Sequence, residues 1–163
     1  MPDHLPAKKI AVFVDVQNIY YTTRDTFERQ FNYREFWHQI SQEGDIILAN
    51  AYAIQRSDDQ QHKFQKALKH IGFNVKLKPF IQRRDGSAKG DWDVGITIDV
   101  MEAAVDADII VLLSGDGDFD LLLNKIITSQ NVQARVYGVA ALTAQSLINA
   151  ASDFFPIDGR LLL

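Results

Sequence analysis

The sequence contains no cysteine. That absence excludes disulfide scaffolds, thiolate zinc sites, iron–sulfur clusters and cysteine nucleophiles in one step. Four scattered histidines leave little for a zinc site, so any bound metal should be held by oxygen. Long hydrophobic runs are missing too: no stretch approaches the roughly 18 uninterrupted apolar residues that a membrane helix needs. The opening MPDHLPAKK carries charge and two prolines and lacks the apolar core of an export signal. These absences set the expectation of a cytoplasmic protein with no membrane partner. Low-complexity tracts, repeats and linkers are also absent. The 163 residues, 47% of them hydrophobic, therefore predict one domain over 1–163, with its core at about 10–157.

Positive charge is missing from one segment in particular. Asp91 to Asp120 holds nine acids and no lysine or arginine, which leaves 12 acids against 17 bases elsewhere. The formal net charge of −4 would by itself argue against a nucleic-acid partner. The distribution says otherwise, because Lys63 to Lys89 holds eight bases against one acid, Asp85. Blocks of one sign mark interaction surfaces, although solvated helix faces produce them as well.

Ile10 to Val14 (IAVFV) and Ile109 to Leu113 (IIVLL) are short apolar runs of the kind that form strands buried on both faces. Ile46 to Ile54, Val132 to Tyr137 and Asp153 to Ile157 predict further strands. Val75 to Ile81 alternates apolar residues with Lys76 and Lys78, and Pro79 marks it as an edge or an early end. Helices are predicted over Thr22 to Gln42, from a cap at Asp58 to a stop at Gly72, over Trp92 to Val105, over Phe119 to Ser129 and over Thr143 to Ala151. Arg83 to Gly90 is a polar loop. Alternating strands and helices point to a three-layer, doubly wound, mainly parallel α/β sheet.

In such a sheet, function collects at the carboxyl ends of the strands, where strand order reverses. Both apolar runs lead straight into acids: Asp15 after one, Asp116 and Asp118 after the other. Asp93 opens the helix before the second run. Two carboxylates about 4 Å apart repel by about 4 kcal/mol at an effective dielectric of 20, so a cluster needs protonation or a divalent cation. Mg²⁺ or Mn²⁺, one or two ions, suits a few carboxylates with waters and phosphate oxygens. A single Asp after a strand is usually a cap or turn residue, as Asp118 would be before Phe119, but the paired exits weaken that reading. Asp106 and Asp108 belong to the opposite edge. Asp99 lies six residues after Asp93, about 600° around a helix, so it either joins the cluster or supports it from outside. Asn18 and Ser114 flank the acids as supporting groups.

FVDVQN (Phe13 to Asn18), KGDWDV with a further acid (Lys89 to Asp99) and LLSGDGDF (Leu112 to Phe119) together resemble the signatures of the NYN domain family, in its LabA-like branch, a relative of PIN-domain nucleases. The resemblance runs from Ile10 to about Phe155. One departure is that Asp91 and Trp92 both stand between the lysine-glycine pair and Asp93, where the family commonly has one residue. The resemblance implies a PIN-like or Rossmann-like fold, an acidic pocket for Mg²⁺ or Mn²⁺, and ribonuclease activity. On the matching motifs, Asp15, Asp93, Asp99, Asp116 and Asp118 fall on the family's acids and Asn18 on its asparagine.

The expected chemistry is metal-assisted phosphodiester hydrolysis of RNA, with Asp15, Asp93, Asp116 and Asp118 as catalytic and metal-binding residues and Asp99 as a further metal ligand. Lys76, Lys78, Arg83, Arg84 and Lys89 would hold backbone phosphates, and Trp92 would stack on bases, as Phe80 would if it is not packed in the core. Two rivals stand beside this reading. A receiver domain would need a phospho-acceptor Asp where Val75 to Ile81 instead runs into Gln82-Arg83-Arg84. A catalytically silent RNA-binding or protein-interaction regulator would keep the fold without turnover. Leu161, Leu162 and Leu163 point to packing against the core or against a second subunit in a homo-oligomer.

Overall fold

The strand β1 (Lys9–Asp15) passes into helix α1 (Val16–Phe27) with no loop between them, because Asp15 ends the strand and caps the helix. The computed structural model describes residues 6–55, 58–79, 81–82, 88–89 and 91–163, with the backbone alone at 79, 81–82 and 88–89. After α1 come α2 (Tyr33–Ser41), β2 (Asp45–Gln55), α3 (Asp59–Ile71) and β3 (Asn74–Pro79). The short strands β4 (Ile81–Gln82) and β5 (Ala88–Lys89) pair antiparallel. The chain continues through α4 (Asp93–Ala103), β6 (Ile109–Leu113), α5 (Asp120–Gln130), β7 (Gln133–Gly138), α6 (Gln145–Ala150) and β8 (Asp153–Pro156).

Six strands form one sheet in the order β3-β2-β1-β6-β7-β8, and every pairing in it is parallel. Renumbered along the chain, that order is 3-2-1-4-5-6, the dinucleotide-fold arrangement rather than the 2-1-3-4-5 of receiver domains. The receiver alternative is thereby excluded. Strand order reverses between β1 and β6, whose ends pair at Val14 and Leu113. β3 is an edge strand, as Lys76, Lys78 and Pro79 foretold.

Alternate residues of the central strands feed two cores. Ile10, Val12, Val14, Ile109, Val111 and Leu113 face the layer that includes Phe36, Ile40 and Leu68 from α2 and α3. Ala11, Phe13, Ile110 and Leu112 face the layer built from Ile96, Val100, Leu123, Ile126 and Leu147 on α4, α5 and α6. Each fully buried Ile, Leu or Phe contributes about 1.5–3 kcal/mol, and this two-sided burial locks the register of β1 against β6. Helices on both faces confirm the doubly wound α/β expectation.

One helix over Thr22 to Gln42 is not found. Glu28 takes a left-handed conformation (φ 54°, ψ 32°) and its N–H donates to the Arg24 carbonyl at 2.9 Å, which closes α1. Asn32 then caps α2 by accepting from the Glu35 N–H at 3.1 Å. α1 also starts earlier than expected, since Asp15 serves as its cap. The strand expected to run to Ile81 ends at Pro79, and part of the expected loop pairs as β5 with β4. Leu161 and Leu162 are buried in the first core, and the Leu161 carbonyl accepts from the Asn32 N–H at 2.7 Å. Among the described residues, no helix is long and apolar enough to cross a membrane.

Candidate metal centre

The exits of β1 and β6 meet the start of α4 at the strand-order reversal. Asp116 follows β6 and accepts the Asp118 N–H at 2.9 Å, which folds Gly117 to Phe119 into a single 3₁₀ turn before α5. The Asp118 N–H is thus tied while its carboxylate is left exposed. Gly115 precedes them because a Cβ there would sit 2.8 Å from the Leu142 carbonyl oxygen, closer than real contacts allow. Asp93 is the first residue of α4, where a carboxylate also suits the positive helix end. One carboxylate oxygen from each of Asp93, Asp116 and Asp118 lies within 4.8 Å of the others, close enough to ligate one ion.

Asp15 stands beside this group of three. One carboxylate oxygen accepts the Asn18 N–H at 3.5 Å, and the other accepts the Ser114 hydroxyl at 3.3 Å. Ser114 is fully buried, and its hydroxyl oxygen in turn accepts the Asp116 N–H at 3.1 Å. The Asn18 side-chain oxygen accepts the Gly115 N–H at 2.8 Å. Asn18 and Ser114 therefore lash the two strand exits together and fix where Asp15 and Asp116 stand.

Nothing described here neutralises these acids. Among the described residues no lysine or arginine pairs with Asp15, Asp93, Asp116 or Asp118. Burial pushes the Asp15 carboxyl up to about 6, partly offset by its hydrogen bonds from Asn18 and Ser114, with the charges of Asp116 and Asp91 adding to the rise. Burial also raises Asp93, helped by the charge of Asp116, a hydrogen bond with it, and the charges of Asp91 and Asp15. Such a set wants a proton or a hard divalent cation, and carboxylate oxygens are the donors that Mg²⁺ and Mn²⁺ prefer.

A model of the NYN domain matches residues 9–158, the whole six-stranded sheet and all of these acids. The chain belongs to the NYN domain family. It is LabA-like within that family and related to the PIN-like nuclease superfamily. The low amplitude and bright protein LabA of Synechococcus elongatus is 27% identical over 158 residues, which cover 92% of this chain and 84% of LabA. A crystal structure of a protein of unknown function from Vibrio parahaemolyticus is 50% identical, with a TM-score of 0.94 over 99% of this chain and 100% of that one.

The other expected residues are placed differently within this NYN domain. The Asp99 carboxylate accepts from Lys76 Nζ at 2.8 Å and from the Tyr52 hydroxyl at 2.7 Å, and it is not among the three clustered acids. Burial pushes Asp99 up, but the hydrogen bonds from Lys76 and Tyr52 and the Lys76 charge outweigh it and hold the carboxyl below its ordinary range. Lys76, expected on phosphates, is thus committed to an ion pair. Lys78 donates to the Asp91 carbonyl at 3.1 Å and lies 4.5 Å from the centre of the Trp92 ring.

Trp92, expected to stack on bases, is half-buried. Its indole N–H donates to the Ala53 carbonyl at 2.9 Å, and its ring meets Tyr52 edge-on at 5.2 Å. A Cβ on Gly95 would strike that ring at 2.7 Å, so glycine lets the indole fold back over the start of α4. In this position Trp92 anchors the helix that carries Asp93. Arg83, Arg84 and Phe80 lie outside the described residues, and the Lys89 side chain does as well. Lys63, Lys66 and Lys69 are exposed along α3, as a solvated helix face would be. Asp108 accepts the Lys9 N–H at 2.8 Å at the far edge of the sheet, as expected.

Sequence reading passed over two groups. Asp91 is exposed, yet its charge reaches both Asp15 and Asp93. Asn50 and Tyr52 were read as parts of a strand. The Asn50 amide donates to the Tyr52 hydroxyl at 3.1 Å, so the pair supports Asp99 from the sheet. The available signal was two polar-tipped residues at alternate positions in an otherwise apolar strand, beside Asn74 and Lys76 in the neighbouring one.

Proposed function

We propose that this protein is a divalent-metal-dependent ribonuclease, with Asp93, Asp116 and Asp118 holding Mg²⁺ or Mn²⁺ and Asp15 completing the acidic wall. The observation that carries this reading is three carboxylate oxygens within 4.8 Å of one another at the strand-order reversal, with no described cation paired to them. Their chemistry fits the ion: all donors are oxygen, and their unrelieved repulsion is what a dication removes. When bound, the metal supplies Lewis-acid polarisation of the phosphate and activation of a water.

The protein's own part is placement. Asn18 and Ser114 fix the β1 and β6 exits, Trp92 anchors α4, and the acids then converge from three elements that cannot slide independently. Lys78 stands near the Asp93 edge. With Arg83, Arg84 and Lys89 of the same segment, it would hold the phosphates of an incoming strand. Single-stranded RNA fits an open edge of this kind better than a duplex. Products should carry 5′-phosphate and 3′-hydroxyl ends.

The test is incubation of single-stranded RNA with Mn²⁺ and either the wild-type protein or an Asp116→Asn variant, followed by analysis of product ends. Cleavage by wild type alone, leaving 5′-phosphates, is the expected result. Cleavage that persists in the variant, or cyclic phosphate ends, would overturn the reading. RNA binding that needs metal but gives no cleavage would replace it with a silent regulator.

A further inference from the structure

A cavity opens at the carboxyl edge of the sheet, between α1 and the start of α3. It encloses about 390 Å³ and none of its described lining residues is charged. That neutrality is notable in a chain with 23% charged residues. Its walls are apolar and aromatic, with Tyr33 buried and Phe64 half-buried, and its mouth carries Tyr20 and the amides of Gln30, Gln60 and Gln61.

Each feature narrows the ligand. The described lining offers no counter-charge to a phosphate or a carboxylate, whose desolvation these residues would leave unrecovered. A rim of primary amides offers donors and acceptors side by side, the complement of a flat heterocycle whose edge carries both. Aromatic walls suit its π-face. The volume lies within the range of small-molecule sites and exceeds what one purine fills. The Arg24 guanidinium lies 5.3 Å from the Tyr20 ring centre and 5.0 Å from that of Tyr21, and pairs with Asp25 at 3.4 Å; both charged side chains are more than half exposed, so a phosphate beside Tyr20 would share or displace that contact. α1 begins directly after Asp15, and the Asp15 charge reaches Tyr33. The cavity and Asp15, which stands beside the acidic cluster, therefore share one helix start.

We infer that this cavity is a nucleobase subsite: it takes one unpaired base of the RNA strand while Arg24 meets an adjoining phosphate. The inference rests on the ribonuclease reading and names how that site would choose its substrate. Gln60 and Gln61 read the edge of the base, and the tyrosines contact its face. A base held there sets which phosphodiester reaches Asp93, Asp116 and Asp118.

The experiment uses fluorescently labelled single-stranded RNA tetramers, one for each base, and a tetramer with a single abasic ribose, bound by the full chain in EDTA so that no turnover occurs. Wild type should bind the intact tetramers about ten-fold more tightly than the abasic one, the order expected for one stacked base. Gln61→Leu, which removes the amide from the rim, should flatten the differences among the four bases and leave abasic binding within two-fold. Tyr20→Leu should lower affinity for all intact tetramers. Equal binding of intact and abasic tetramers by wild type, no binding of any tetramer, or equal weakening of every ligand by Gln61→Leu would overturn the subsite. Base-selective binding without Mn²⁺-dependent cleavage would instead defeat the hydrolytic reading and leave the subsite standing.

Discussion

Asp93 and Asp99 lie on one helix, six residues apart, and meet opposite fates. Asp99 receives a lysine and a tyrosine from neighbouring strands, and its carboxyl is held low. Asp93 receives two further aspartates, and its carboxyl is pushed up. Among the described residues, the protein pairs Asp99 with a lysine and gives Asp93 no cation. Acidity of a segment does not by itself mark a candidate metal site; acidity without a described counter-charge does.

The largest expected effect breaks the uncompensated side. Asp116→Asn removes a metal donor and half of the mutually repelling Asp93–Asp116 pair, so Mn²⁺ affinity and Mn²⁺-dependent RNA cleavage should each fall by more than about 100-fold, beyond what losing a supporting residue costs. Calorimetric titration and single-turnover cleavage measure the two. Ser114→Ala should come next. It removes the hydroxyl shared by Asp15 and the Asp116 N–H, and both quantities should fall about ten-fold, with about 1 kcal/mol lost from stability in denaturant unfolding.

pH sharpens the same contrast. A carboxyl raised in the folded state penalises folding fully above its folded pKa; the penalty begins to fade as pH falls through that value and is gone only below the unfolded pKa. Asp15, raised from 3.8 to about 6, and Asp93, raised alongside it, therefore destabilise the metal-free protein most at about pH 7.5, less at about pH 5.5 and hardly at all below about pH 4. Protons and Mn²⁺ compete for the same oxygens, so the rise in Tm on adding Mn²⁺ should be clearly larger at pH 7.5. Asp99 has the opposite sign. Its contribution is complete above the ordinary carboxyl range and is lost only when pH falls below it. The smallest effect belongs to the compensated side: Lys76→Met should cost about 1 kcal/mol or less, since the pair is partly exposed, and should leave Mn²⁺ affinity within about three-fold.

Much of this contrast was legible in the sequence, and its limits have physical causes. The apolar runs of β1 and β6 could only be buried strands, and the acids at their ends followed from the parallel fold. The break between α1 and α2 was hidden because it uses Glu28 in a left-handed conformation rather than glycine or proline. The role of Asp99 was hidden for another reason. Lys76 and Tyr52 reach it from β3 and β2, and only the sheet register, which sets Tyr52 beside Lys76, brings them under α4. Trp92 looked like a free stacking surface until the carbonyl of Ala53, far away in sequence, took its indole N–H. Pairwise partners contributed by other strands are what a single sequence conceals.

The most direct measurement is Mn²⁺ binding at pH 7.5, by calorimetry, to wild type, Asp116→Asn and Asp99→Asn. Saturable binding to wild type and Asp99→Asn, lost in Asp116→Asn, is the predicted result. No saturable binding to wild type, or an equal loss in both variants, would contradict the claim that, of the two acids on α4, Asp99 is satisfied by the protein and Asp93 is the one that serves a cation.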